Sequence, residues 1–313
     1  MDRVYTLYMS DKSSKKPIRN PEVLLSKVKQ NFPELKCKNF RYIDEGWDHE
    51  ILIVDDKYVF RFPNDAEYRG KLKQEISILK HIAPMLAANI PNYDFIAPDG
   101  SFAGYPIVPG QIISLQMFKA LSKEERSSLT RQVAEFLTTL HQLLEKNHQL
   151  PTLPEEYMYQ HFRDSRKNAL EHLPSALSSK DFQKVEAIIS DMEKVLEEDK
   201  PSVFLHGDLY HKHILWDDKN QKLGVIDFSD MTIGDPAIDF AELYEYGRGF
   251  AVDVYQKYCG IKGDDFMRRA WIYEKWVSVF LMANHFEYKK YPFEEIRKLF
   301  DTLKNKSEPD INR

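Results

Sequence analysis

Three side chains within one short stretch could hold a divalent metal and move a proton. Between Val203 and Asp230 the chain reads VFLHGDLYHKHILWDDKNQKLGVIDFSD. One apolar run, Val203 to Leu205, leads into His206-Gly207-Asp208; a second, Ile214 to Trp216, follows a five-residue loop; a third, Leu223 to Ile226, ends in Asp227. Two strands joined through Asp217-Asp218-Lys219-Asn220 would return the residue before the first and the residue after the second to one edge. Asp208, His213 and Asp227 are therefore expected to converge. Convergent carboxylates with an imidazole can bind a cation and leave one carboxylate to accept a proton. Phosphoryl transfer needs that combination, because its catalysis is mostly positioning and charge neutralisation. Asp217, Asp218 and Asp230 read as solvated turn residues. Asp208 and Asp227 do not, since each borders an apolar run where an unpaired carboxylate would be costly to bury.

The elements that must position this stretch can be read outward from it. Residues 21–30 (PEVLLSKVKQ) have helical spacing behind Pro21, a good first-turn residue. Two β-rich runs, Ile51 to Val54 and Tyr58 to Phe62, joined at Asp55-Asp56-Lys57, read as a hairpin. Residues 67–82 return to helical period with Leu72, Ile76, Leu79 and Ile82 on one face. Further strands are expected at Tyr93 to Ala97 and Ala103 to Val108, before Pro109-Gly110. The first hundred residues thus predict a small, mostly antiparallel sheet with one helix packed on it. Beyond them the pattern is helical: a capping box at Ser122 and Glu125 opens a helix to about Glu145, a second helical region fills 155–198, and a third 239–304.

Bulk composition narrows the function classes. A chain of 313 residues, 42% hydrophobic and 30% charged, can bury one large core or two packed lobes. Its formal charge of -5 provides no basic field for nucleic acid. Cys37 and Cys259 stand far apart in no metal-ligand spacing, which suits a reducing compartment. No stretch has the length and apolarity of a signal core or a membrane span. These features predict a cytoplasmic protein without nucleic-acid or membrane partners.

The strings HGDLYHKHILWD, GVIDFSD and IGDPAIDFAE, in this order, resemble the catalytic core of the aminoglycoside phosphotransferase family, and the macrolide phosphotransferases within it most of all. The resemblance implies an α+β, bilobal protein-kinase-like fold: a small antiparallel β-sheet lobe with one helix over residues 1–109, which clamps nucleotide, and a larger, mainly helical lobe over 110–313. It implies Asp208 as the catalytic base and His213 and Asp227 as ligands of Mg2+ on bound ATP or GTP. His213 stands where much of the family has Asn, and Ser229 where protein kinases have Gly. Asp239 resembles a family Asp that braces the catalytic loop, and His206 is expected to support the same loop. On the nucleotide side, Gly46 belongs to a loop resembling the phosphate cover, Glu75 matches the Glu that pairs with a strand-borne cation, and that cation is Arg61 where a typical kinase has Lys. Ile107, Val108 and Pro109 resemble the hinge that meets the purine.

The acceptor is less legible. The region expected to face it, FAELYEYGRGF, offers Glu242 and Glu245, fewer carboxylates than a polycationic aminoglycoside suggests, whereas Tyr244, Tyr246 and Phe250 would suit a large apolar macrolide. The expectation is transfer to a hydroxyl of an antibiotic-like small molecule, with Glu242, Glu245 and Tyr246 as acceptor contacts, by a monomer or weak dimer. The same fold would also serve a kinase of a sugar, choline or homoserine-like metabolite, or a nucleotide-binding scaffold without activity.

Overall fold

A computed structural model describes residues 19–43, 48–144, 150, 158–288 and 292–306. The chain begins with α1 (Pro21–Asn31), whose Asn20 side chain caps the Glu22 N–H and whose Pro21 occupies the first turn. There follow β1 (Phe40–Ile43), β2 (His49–Val54), β3 (Tyr58–Pro63), α2 (Ala66–Ile82), β4 (Phe95–Ile96) and β5 (Ala103–Pro106). The strands form one antiparallel sheet in the order β1-β2-β3-β5-β4. Asp55 and Asp56 turn the β2–β3 hairpin with φ of 54° and 50°, a left-handed conformation that Asp tolerates better than most residues.

Strand alternation gives this sheet two different faces. Leu52, Val54, Phe60 and Phe62 point to one side and pack with Leu24, Leu25 and Val28 of α1. On the other side Arg61 of β3 meets Glu75 of α2, so the sheet carries α1 on one face and α2 on the opposite one. The buried stripe of α2 is Tyr68, Leu72, Glu75, Ile78, Leu79 and Ile82. Ile76, expected in that stripe, is only half-buried; the charge pair with Arg61 draws Glu75 inward in its place. The last turns of α2 leave the sheet altogether, because Ile78, Leu79 and Ile82 belong to the large core of the rest of the chain.

Next come β6 (Gln111–Ile112), α3 (Leu115–Ala120), α4 (Lys123–His141), α5 (Met158–Ala176), α6 (Ser179–Glu197), β7 (Val203–Leu205), β8 (Ile214–Asp217), β9 (Lys222–Val225) and β10 (Thr232–Gly234). The capping box at Ser122 and Glu125 is formed, and α4 ends at His141, before the expected Glu145, in a turn through Leu144. The single helical region expected over 155–198 is two helices, split where Ser178 caps α6. The chain finishes with α7 (Ile238–Ala241), a 3₁₀ turn (Glu242–Tyr246), α8 (Arg248–Lys257), α9 (Phe266–Tyr288) and α10 (Phe293–Leu303). Gly247, with φ of 108°, breaks that run between the 3₁₀ turn and α8. The central helix α9 packs against α5, α6, α7 and α10.

Two small sheets sit inside this helical part. β8 and β9 pair as a hairpin, Ile214 opposite Val225, with β6 along the outer edge of β8. β7 pairs with β10, Leu205 opposite Thr232. The link from the large sheet enters at Gly110, whose φ is 117° and where a Cβ would lie 2.9 Å from the Trp216 carbonyl carbon. Only glycine fits that approach. Among the described residues no helix is long and apolar enough to cross a membrane.

Candidate active site

The β8–β9 hairpin does what its sequence pattern requires. Ile226 N–H donates to the His213 carbonyl at 3.0 Å, one rung beyond the last strand pair, so His213 and Asp227 leave the hairpin side by side. β7 delivers His206, Gly207 and Asp208 to the same place. Gly207 has φ of 86°, and a Cβ there would collide with the Asp230 carbonyl oxygen. The Asp239 carboxylate, at the start of α7, accepts the backbone N–H of both His206 and Gly207 at 2.9 Å. Its Oδ2 also meets Nε2 of His141 at 3.0 Å, and Nδ1 of His141 lies 2.8 Å from the Tyr258 hydroxyl. His206 is fully buried, with Nδ1 accepting the Asp208 N–H and Nε2 facing the Ile226 carbonyl at 3.2 Å. Burial lowers its pKa to about 4, so it is a neutral strut.

The geometry of His213 settles its tautomer. Nδ1 is 2.7 Å from the Asp208 carbonyl oxygen, which can only accept, so Nδ1 carries the proton. Nε2 then presents a lone pair to Oδ2 of Asp227 at 3.4 Å. Burial lowers the His213 pKa and keeps the ring neutral. Asp227 has φ of 62°, and its Oδ1 accepts from Arg61 at 3.0 Å and from the Ser229 hydroxyl at 2.8 Å. Burial opposes its charge, but Arg61 foremost, with the Ser229 hydroxyl, outweighs burial and holds the Asp227 carboxyl below the usual range. No group of three or more His, Cys, Asp or Glu among the described residues is arranged to enclose a metal by itself. His213 and Asp227 instead present two facing acceptors with no donor between them. A divalent cation that completes its shell with phosphate oxygens and water fits that edge.

Asp208 differs from Asp227 in its surroundings. Burial first, then the carboxyls of Glu242, Asp230, Asp227 and Asp48, raise its pKa well above the ordinary carboxylate value. Asp208 Oδ1 and Glu242 Oε1 are both buried with no N–H or O–H donor reaching them among the described residues. The two carboxyls adjoin, and a proton kept on Glu242 relieves their repulsion and leaves Asp208 able to accept one. Asp230, read from sequence as a solvated turn residue, is half-buried and raised by burial and by Asp48, so it belongs to this acidic pocket. Asp217 keeps its turn role but is buried, accepting from Lys219, Asn220 and the Asn220 side chain. Asp218 is exposed.

From the sheet side, Arg61 is a buried hub. Its Nη1 donates to both oxygens of Glu75 at 2.8 Å and to the Tyr93 hydroxyl at 3.1 Å. Its Nη2 reaches Asp227 and Nδ1 of His49 at 3.2 Å. Glu75 and Asp227 keep Arg61 charged against the penalty of burial. Between the large sheet and β8, Tyr105, Val108 and Leu215 form a small buried cluster, packed by Val59, Tyr93 and Ile226. Ile107 donates its N–H to the Lys57 carbonyl at 2.7 Å, so that amide serves the hairpin rather than a base. Pro109 has no N–H, which leaves Val108 as the amide of the expected hinge trio. Gly46 lies outside the described residues.

The sequence profile described as phosphotransferase enzyme family matches residues 39–271, from just before β1 into α9. The chain belongs to that family. Its fold is that of solved antibiotic kinases. The GDP complex of wild-type aminoglycoside 2'-phosphotransferase-IIIa aligns with a TM-score of 0.80 at 22% identity, covering 91% of this chain and 99% of that one. The streptomycin-ATP-APH(2")-IIa ternary complex aligns with a TM-score of 0.67 at 19% identity, over 92% and 98%. The macrolide 2'-phosphotransferase MphH from Brachybacterium faecium, as apoenzyme, aligns with a TM-score of 0.62 at 17% identity, over 92% and 99%.

On the acceptor side this phosphotransferase departs from the sequence reading. Tyr246 does not face a cleft: its hydroxyl donates to the Ile113 carbonyl at 2.9 Å, and its ring packs on Phe118 and Phe250. Tyr244 and Phe250 are likewise buried in the large core. The 3₁₀ turn explains this, because residues three apart eclipse and Glu242 and Glu245 take the side facing the catalytic loop. Glu245 is bonded to His211. Sequence reasoning missed His49, Tyr93, His141, His211 and Tyr258, and placed Asp48 only within the loop resembling the phosphate cover. Only His141 carried a signal, a histidine beside the apolar face of α4; the others become visible through contacts distant in the chain.

Proposed function

We propose that this phosphotransferase moves the γ-phosphoryl group of ATP or GTP to a hydroxyl of an aminoglycoside-like antibiotic. The observation that carries the reading is the separation of roles among two carboxylates and one imidazole. Asp227 is held ionised beside the neutral lone pair of His213, an edge suited to Mg2+ on the nucleotide. Asp208 stands apart, with a raised proton affinity suited to accepting the hydroxyl proton. The acceptor oxygen bonds to the γ-phosphorus as the bridging oxygen leaves with the nucleoside diphosphate, and the hydroxyl proton passes to Asp208. Mg2+ would supply charge neutralisation across the phosphate oxygens.

Arg61 keeps Asp227 oriented and ties it to Glu75, and the Val108 amide with the apolar cluster behind it would meet the purine. Residues 1–109 would act as the nucleotide clamp and 110–313 as the part that carries the acceptor, in a cytoplasmic monomer or weak dimer.

An aminoglycoside is preferred to a macrolide on specific grounds. The aromatic side chains that favoured a macrolide are core, whereas the half-buried carboxyls of Asp230 and Asp48 lie near Asp208 and would meet ammonium groups. The known folds of this type include a complex with kanamycin, which is consistent with that choice. The test is a phosphate-transfer assay across aminoglycosides, macrolides, choline and simple sugars with ATP and with GTP. Turnover confined to aminoglycosides is expected; turnover confined to macrolides or metabolites would reject the acceptor assignment.

A further inference from the structure

Asp239, Glu242 and Glu245 recur at every third residue from α7 through the 3₁₀ turn, on the side that faces the catalytic loop. Each meets a successive part of that loop. Asp239 receives the N–H groups of His206 and Gly207, Glu242 adjoins Asp208, and Glu245 reaches His211. Oε2 of Glu245 accepts the His211 backbone N–H at 3.2 Å and lies 2.8 Å from Nδ1 of the same residue. A carboxylate only accepts, so Nδ1 of His211 carries a proton and both bonds converge on one oxygen. The two side chains are each 3% exposed, too little for an ammonium group of an acceptor to reach the Glu245 carboxylate.

His211 opens a one-turn 3₁₀ segment that ends at His213, closed by the His213 N–H to the Tyr210 carbonyl at 2.9 Å. Fixing His211 therefore fixes the rotation of the turn that aims His213 at the Asp208 carbonyl. We propose that Glu245 is a positioning residue that sets the catalytic loop through His211, and not an acceptor ligand. This rests on the phosphotransferase reading of the site.

The test compares Glu245→Gln, Glu245→Ala and His211→Ala with the unaltered enzyme. Two rates are measured with magnesium ATP: transfer to kanamycin, and nucleotide hydrolysis without any acceptor. Glu245→Gln keeps an oxygen that can accept both bonds and should hold both rates within about threefold of the parent, whereas Glu245→Ala should lower both kcat values about 10- to 100-fold with little change in kanamycin KM. His211→Ala, which leaves the carboxylate in place, should lower both rates about tenfold. Thermal unfolding accompanies each variant, and if Glu245→Ala does not fold, the other two decide.

Equal losses in Gln and Ala, with a raised kanamycin KM and unchanged hydrolysis, would make Glu245 an acceptor ligand and overturn the proposal. An active parent with an unimpaired Glu245→Ala variant overturns it alone. A parent without either activity removes the phosphotransferase reading and the proposal together.

Discussion

Arg61 and Asp227, 166 residues apart in the chain, meet at 3.0 Å, and this ion pair joins the β3 strand to the end of the β8–β9 hairpin beside His213. The same guanidinium holds Glu75, so one side chain fixes two carboxylates on different elements. Removing it as Arg61→Ala leaves Glu75 buried and uncompensated, which should destabilise the fold by about 3–5 kcal/mol in urea unfolding. Arg61→Lys should recover part of that loss but not the nucleotide affinity, because an ammonium cannot span Glu75 and Asp227 as a planar fork does. A variant Lys enzyme with unaltered stability and affinity would refute the hub.

Replacing the two loop carboxylates should separate their roles. Asp208→Asn should cut turnover about 10³-fold while nucleotide binding stays within threefold, since Asn presents no base. Asp227→Asn should instead raise the magnesium concentration needed for half-maximal rate, read from a metal titration at fixed ATP. Identical losses of binding and turnover in both variants would show the assignment to be wrong.

Acid should weaken the fold partly through His206. Its pKa is about 4 when folded against about 6.5 when unfolded, so the unfolded chain takes up the proton first. The stability this neutral strut supplies is complete above pH 6.5 and is lost as pH falls towards 4, roughly 3 kcal/mol in all. His206→Asn should flatten the dependence of unfolding free energy on pH by one proton in that window. An unchanged slope would place the titration elsewhere.

Tyr246→Phe tests whether this ring belongs to the core. Loss of its bond to the Ile113 carbonyl should cost about 1 kcal/mol of stability and leave acceptor KM unaltered. A raised KM without a stability change would return Tyr246 to the acceptor site.

What could be read from the chain and what could not divide along a physical line. Asp208, His213 and Asp227 were legible because a loop and a hairpin of about twenty residues bring them together by local geometry alone. The hairpin turn, the capping box at Ser122 and the helical stripes were legible for the same reason. The His141–Asp239 and Arg61–Asp227 contacts were not, because they link side chains 98 and 166 residues apart and leave no periodic trace. The packing of Tyr246 on Phe118 and Phe250 was not legible either, because residues read as helix form a 3₁₀ turn in which residues three apart share a side.

The last turns of α2 carry one more implication. Ile78, Leu79 and Ile82 are almost entirely excluded from water within the large core, and a strand-like bridge at Asn89, bonded to Leu223 and Val225, fastens the segment that follows. Swinging the helix outward would strip three aliphatic side chains and cost about 5 kcal/mol or more. The helix that bears Glu75 is thus fastened to the larger core as well as to the sheet, so parting Glu75 from Arg61 by a helix movement would carry that cost in addition to the ion pair.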